Sequence, residues 1–284
     1  MQILSSQQPS ADPDADHVPW WRDSVCYQIY VRSFADGNGD GVGDLPGIRQ
    51  RLPYLADLGV DSVWITPFYV SPQHDHGYDV SDYRDVDPLF GTLGDFDRML
   101  ATAHDLGIKV IVDVVPNHTS SEHPWFEASR SSKDNPYRDY YVWRPGRTGP
   151  NGEKLPPNNW GSIFGGPAWQ YDAQTDEYYL HLFAKGQPDL NWENPRLRED
   201  VYEMMRWWLD KGVDGFRLDV IDMISKPPGL PDIDVTKDDP NRLANYTNGP
   251  RLHDHLREMN AKVFSKYDVM TVGECPGATP ENAV

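Results

Sequence analysis

Short apolar runs alternate along the chain with stretches of helical periodicity. The apolar runs are Val25–Val31 (VCYQIYV), Ser62–Thr66 (SVWIT), Lys109–Val115 (KVIVDVV), Asp214–Asp219 (DGFRLD) and Val269–Glu274 (VMTVGE). Near-continuous apolarity over so few residues is the mark of strands buried on both faces in a parallel sheet. Helical spacing marks Ile48–Leu58, Leu93–Leu106, Leu197–Asp210 and Arg251–Tyr267, the third ending at Lys211-Gly212, a glycine C-cap signal. Evenly repeated βα units favour a closed barrel over an open sheet. The rhythm breaks from Thr119 to about Tyr179, a segment rich in Pro, Gly and Asn that holds Trp125, Trp143, Trp160 and Trp169. So long an irregular stretch inside a compact domain is normally a functional excursion. A second, acidic excursion covers Ile224–Gly249.

The expected fold is therefore α/β, a (β/α)8 barrel truncated after about its fifth strand, with an irregular insertion after the third. Its divisions are a disordered leader over 1–19, barrel over 20–118, the insertion over 119–180 and continued barrel over 181–284. A barrel needs eight strands and five are counted, so the chain reads as the N-terminal part of a longer protein.

Charge narrows the partners. A formal −18 argues against nucleic acid and anionic membrane surfaces, whereas a neutral substrate is indifferent to it. The leader, Met1 to His17, is polar and acidic without an apolar core, so no signal peptide is expected, and no run is long enough to span a membrane. Cys26 and Cys275 lie in or just after strands and are expected as buried thiols, not a disulfide framework. A cytoplasmic location follows as the expectation. The 10 Trp and 15 Tyr suit stacking on sugar rings as well as they suit a large core.

The chemistry gathers at strand ends. In Gly215–Asp219, Phe216 and Leu218 face one way and Arg217 and Asp219 the other, with Asp219 at the exit. Glu274 leaves the last strand in the same way, and His118 follows the third. Two carboxylates at neighbouring strand ends are what glycoside hydrolysis requires, one ionised and one protonated. Arg217 is expected to hold Asp219 anionic, and Asp113, inside its strand, to form a buried ion pair with Arg217. Each residue taken alone has an ordinary reading as a helix cap or packing group; three at successive strand ends do not. Asp36-Gly-Asn38-Gly-Asp40-Gly-Val42-Gly-Asp44 places oxygen side chains at loop positions 1, 3, 5 and 9, the spacing of an EF-hand-type calcium loop, with Gly47 where the closing Glu would stand. Runs of Asp, Asn and Gly also make plain turns.

The motifs DVVPNH (Asp113–His118), GFRLD (Gly215–Asp219), VGE (Val272–Glu274) and QPDLN (Gln187–Asn191) resemble the α-amylase family of retaining glycosidases, glycoside hydrolase family 13. With YQIYVRSFADGNGDGVGDLPGI and DHGYDVSDY they are most similar to its α-glucosidase and oligo-1,6-glucosidase branch, from Trp20 onward. The resemblance implies an exo-acting glycoside hydrolase that removes terminal α-linked glucose from maltose- or isomaltose-type oligosaccharides. It implies Asp219 as nucleophile and Glu274 as acid/base, with Arg217 orienting Asp219. His118 would face the 6-hydroxyl, Asp75 the hydroxyls of the non-reducing end, and Tyr78 the underside of the ring. Phe164 would form pocket wall, and Val220 would favour α-1,6 bonds. The 119–180 segment would be the family's domain B. Asp36, Asn38, Asp40, Asp44 and the Val42 carbonyl would hold Ca2+ or another divalent ion. The family's third carboxylate has no counterpart in this sequence, so the chain alone is expected to be inactive. Rival readings are a trehalose synthase or other transglucosylating isomerase, and a non-catalytic relative; oligomeric state stays open.

Overall fold

The computed structural model describes residues 18–234 and 245–281. The leader expected over 1–19 lies almost wholly outside the described residues, as does part of the 224–249 excursion. Elements follow in the order β1 (Cys26–Ile29), α1 (Val31–Phe34), α2 (Leu45–Leu58), β2 (Ser62–Ile65), β3 (Tyr69–Val70), β4 (Asp82–Val86), α3 (Leu93–Asp105) and β5 (Lys109–Val114). After β5 come α4 (Pro124–Ser131), β6 (Trp143–Arg144), β7 (Arg147–Thr148), β8 (Lys154–Leu155), β9 (Trp169–Asp172) and β10 (Glu177–Leu180). The chain then runs through α5 (Pro195–Lys211), β11 (Gly215–Leu218), α6 (Leu252–Lys262) and β12 (Met270–Gly273).

The five apolar runs form one sheet in the order β1-β2-β5-β11-β12, every neighbouring pair parallel. Helices start and stop where local chemistry directs. Thr92 and Asp95 form a capping box at α3, and Asn194 caps α5 ahead of Pro195. Gly212 ends α5 at φ 108°, the left-handed conformation that its lack of a Cβ permits. One core of strand and helix faces is continuous, from Ile29 and Val63 through Val110, Val112 and Phe216 to Trp208 on α5. Gly215 is needed for close packing: a Cβ there would meet the Met270 carbonyl oxygen at 2.1 Å.

Two expectations change. The loop between β2 and α3 contains the β3–β4 hairpin, and the excursion after β5 holds a helix and a three-stranded antiparallel sheet, β6-β10-β9. Strands of two to five residues carry too little periodicity to stand out. Cys26 and Cys275 are free thiols as expected, but both are exposed. β1 is one edge of the sheet, with three of its four residues exposed, and Cys275 follows the opposite edge, β12. Edge position is not written into local sequence.

Candidate active site

The parallel register sets Arg217 beside Asp113 and Leu218 beside Gly273. Hydrogen bonds continue beyond the strands: Asp219 N–H donates to the Val114 carbonyl at 2.8 Å, and Glu274 N–H to the Leu218 carbonyl at 2.9 Å. Both acids are thus held by backbone at the sheet's C-terminal end.

One guanidinium organises the site. Arg217 Nη1 donates to Asp113 Oδ1 at 2.9 Å and to Asp219 Oδ1 at 2.6 Å, while Nη2 reaches Glu274 Oε2 at 2.5 Å. The expected Asp113–Arg217 pair is present. Asp113 Oδ2 also accepts from the Trp64 indole at 3.1 Å and from the Tyr78 hydroxyl at 3.3 Å. Both rings lie over the guanidinium, at 5.0 and 5.8 Å. Side-chain exposure rises outward, from 0% for Asp113 to 9% for Asp219 and 45% for Glu274.

The charge balance differs from the expectation that Arg217 keeps Asp219 low. Burial pushes Asp219 well above the usual carboxylate range, Asp113 adds to this, and Arg217 opposes it. Burial likewise pushes Asp113 up to about 7 against the pull of Arg217. The cation acts in the expected direction, but it is shared among three carboxylates.

Val220, directly after Asp219, sits at φ 36°, ψ 45°. A β-branched residue in the left-handed region is a marked outlier. Its side chain is buried in a cluster with Trp160, Ala168, Leu182, Met223 and Tyr246, and its N–H donates to Glu274 Oε2 at 3.3 Å. The strained turn therefore ties the acid to the strand that carries Asp219.

A second network holds the remaining candidates. His118 is 1% exposed, and its Nε2 lies 3.2 Å from Gln187 Nε2, which donates to Asp75 Oδ2 at 2.8 Å. Its Nδ1 lies 3.2 Å from Asn117 Nδ2. Asn117 Oδ1 accepts from buried Lys226 at 2.8 Å, and Lys226 pairs with Asp189 at 2.8 Å. Burial lowers His118 to about 4 and raises Asp75. The ring is neutral near pH 7. Phe183 packs 4.9 Å from His118, and Phe164, 58% exposed, has an edge-on ring contact with Phe183 at 5.7 Å. The structure brings Asp75, Tyr78, His118, Arg217, Asp219, Val220 and Glu274 into linked networks, with Phe164 one ring further out. Sequence reasoning left out Gln187 and Asp189, although both stood in QPDLN. It also left out Lys226, for which no signal existed.

Depressed histidines have a consequence for stability. His123 is likewise lowered to about 4 by burial. Both rings favour the neutral form when folded, so their contribution is full above about 6.5 and is lost as pH falls toward 4, on the order of 3 kcal/mol for His118. Thermal melts between pH 7 and 4 should show this fall, with a shallower slope in His118→Asn. An unchanged slope would contradict it.

In the Asp36–Asp44 loop, Asp36 accepts from Asn38, Gly39 and Gly41 N–H, and backbone bonds from Gly41 and then Gly39 lower its pKa. Asn38 Oδ1 accepts from Asp40 N–H, and Asp40 Oδ1 from Val42 N–H. Asp44 Oδ1 caps α2 by accepting from Gly47 N–H at 2.6 Å, but its Oδ2 is buried without a partner. That orphaned oxygen is what a cation would satisfy. Among the described residues no three His, Cys, Asp or Glu side chains gather as a ligand set. The loop fits an ion only with the Asn38 and Val42 oxygens counted as donors.

Known proteins match this chain over most of its length. The family described as alpha amylase, catalytic domain, matches residues 28–284. An oligo-1,6-glucosidase of Parageobacillus thermoglucosidasius is 60% identical over 93% of this chain and 47% of its own length. An α-glucosidase of Pediococcus pentosaceus is 57% identical over 94% and 47%. The solved trehalose-6-phosphate hydrolase of Bacillus licheniformis superposes with TM-score 0.87 at 52% identity, over 92% of this chain and 46% of that one. The trehalulose synthase MutB superposes at 0.86 and 52%, with the same coverage. The chain spans about half the length of the curated relatives it matches, and the barrel they share is the (β/α)8 fold. With its strand-end acids, shared arginine and these relatives, the chain belongs to the α-amylase family, glycoside hydrolase family 13.

Proposed function

We propose that this chain carries the nucleophile and acid/base of a retaining, exo-acting α-glucosidase. The observation that supports it most is Arg217, which holds a buried Asp219 and an exposed Glu274 on one guanidinium. Two carboxylates kept so close suit the retaining arrangement, with a separation of about 5–5.5 Å, better than the wider inverting one. Their unequal exposure suits the two roles. Asp219, deep and oriented, attacks the anomeric carbon as the bond to the leaving oxygen breaks. Glu274, on the open side, protonates that oxygen, then takes a proton from the water that releases glucose. Two inversions return the α-anomer.

The other residues set the binding mode. His118, neutral, faces the 6-hydroxyl side, Asp75 the terminal hydroxyls and Tyr78 the ring's underside, with Phe164 an outer wall. A carboxylate on the terminal hydroxyls closes the pocket and limits cleavage to single glucose units. Val220 borders the departing sugar and tilts preference toward α-1,6 linkages. The segment after β5 serves as domain B. A cytoplasmic location is part of the proposal; separately, no helix among the described residues is long and apolar enough to cross a membrane. The substrate is a small neutral oligosaccharide.

Proton NMR of the full-length protein with maltose, and separately isomaltose, tests the reading: α-glucose should appear first. Likeness to a trehalulose synthase favours transglucosylation as the second reading. An isomerised disaccharide as the main product would select it.

The Asp36–Asp44 loop, in this proposal, holds a structural calcium through Asp36, Asn38, Asp40, Asp44 and the Val42 carbonyl. An ion bound well above its dissociation constant contributes roughly 2–3 kcal/mol. Chelation should therefore lower Tm by about 5 °C, and calcium should restore it. Asp44→Asn should abolish the response.

A further inference from the structure

A groove of about 330 Å³ lies apart from Asp219 and Glu274, between β4, the start of α4 and α5. Asp82, Arg84, His123, Trp125, Asp200 and Glu203 line it. The half-buried Trp125 indole is fixed by ring contacts to His123 at 4.5 Å and Tyr140 at 5.5 Å. His123, only 6% exposed, accepts from Trp125 N–H at Nδ1. A neutral imidazole accepting at Nδ1 carries its proton on Nε2, and among the described residues that N–H has no hydrogen-bond partner. Around it stand acceptors and one further donor. Asp200 accepts from the Tyr140 hydroxyl at 2.5 Å, Arg84 pairs loosely with Glu203 at 3.3 Å, and Asp82 gives one oxygen to the Arg84 N–H.

The set is selective by chemistry. Three carboxylates against one arginine repel an anion. A bare cation would meet the imidazole N–H and Arg84. A neutral polyhydroxy ring can accept from His123, donate to the carboxylates and lay its apolar face on the indole. We propose that this groove is a second saccharide site, which binds one neutral hexose unit of an oligosaccharide independently of the pocket at Asp219. A volume at the small end of the range for ligand pockets suits one ring and weak binding, with Kd on the order of millimolar.

Saturation-transfer NMR and titration calorimetry with maltotriose test this on the full-length protein carrying Asp219→Asn, which leaves the sugar uncleaved. Two classes of site are expected. Adding Trp125→Ala should weaken the weaker class at least tenfold and spare the other. Asp82→Ala with Glu203→Ala, both exposed and outside the ring contacts that hold Trp125, should do the same and serves if Trp125→Ala fails to fold. A single class of site, or a weaker class indifferent to these changes in folded protein, overturns the proposal.

Discussion

Asp219→Asn in the full-length protein should cut turnover by a factor on the order of 10⁴ or more while leaving Tm unchanged or slightly raised. Asn keeps an oxygen where Arg217 Nη1 now donates at 2.6 Å, so the guanidinium stays in place. What disappears is the anionic oxygen that would bond the anomeric carbon. The fold loses nothing it needs, because three carboxylates share one cation and Asp219 is pushed upward by burial first and by Asp113 second. Removing one negative charge from that cluster relieves repulsion. Initial rates on maltose and isomaltose, with a melt of the same preparation, check both halves. Retained turnover would remove Asp219 from the mechanism. Lost turnover with a collapsed melt would give it a structural role.

Glu274→Gln should show a loss that depends on the leaving group. General acid catalysis is worth about 10²–10⁴, and a glucose leaving group needs all of it. A nitrophenolate leaves without a proton. The first, glucosylation step should therefore fall by something like three orders of magnitude on maltose and far less on a nitrophenyl α-glucoside. Gln retains an acceptor for Val220 N–H and for Arg217 Nη2, so the pairings at 3.3 and 2.5 Å can persist without the charge. Pre-steady-state bursts on both substrates separate this step from water attack. Equal losses on the two would show that Glu274 is not the proton donor.

The site was legible where strand period and motif coincided. Arg217 and Asp219 alternate with Phe216 and Leu218, so their common face could be read directly, and Asp113 was the buried acid expected to meet Arg217. The helix end announced by Gly212 appeared as written, while the helix starts at Pro195, two residues before the expected Leu197. The rest depended on contacts far apart in sequence. Gln187 joins Asp75 to His118 across 112 and 69 residues, which no local pattern encodes. β4 reads as a polar loop because three of its five residues are charged and exposed, and its buried Tyr83 and Val86 are three apart, out of strand alternation. The upward push on Asp219 was missed because it depends on how many carboxylates share Arg217 and how dry they are, neither of which a motif states.

Val220 gives the turn after Asp219 a cost. A β-branched residue at φ 36° stores on the order of 1–3 kcal/mol, restrained by the buried cluster around its side chain. Efforts to toughen the protein against heat by relaxing torsional outliers would select this position early, and glycine or asparagine there would give a sturdier molecule. The same change would free the N–H that now faces Glu274, and the two acids could drift in relative angle. Heat resistance and catalytic rate are thus expected to trade against each other at one bond, beside the residue proposed to attack.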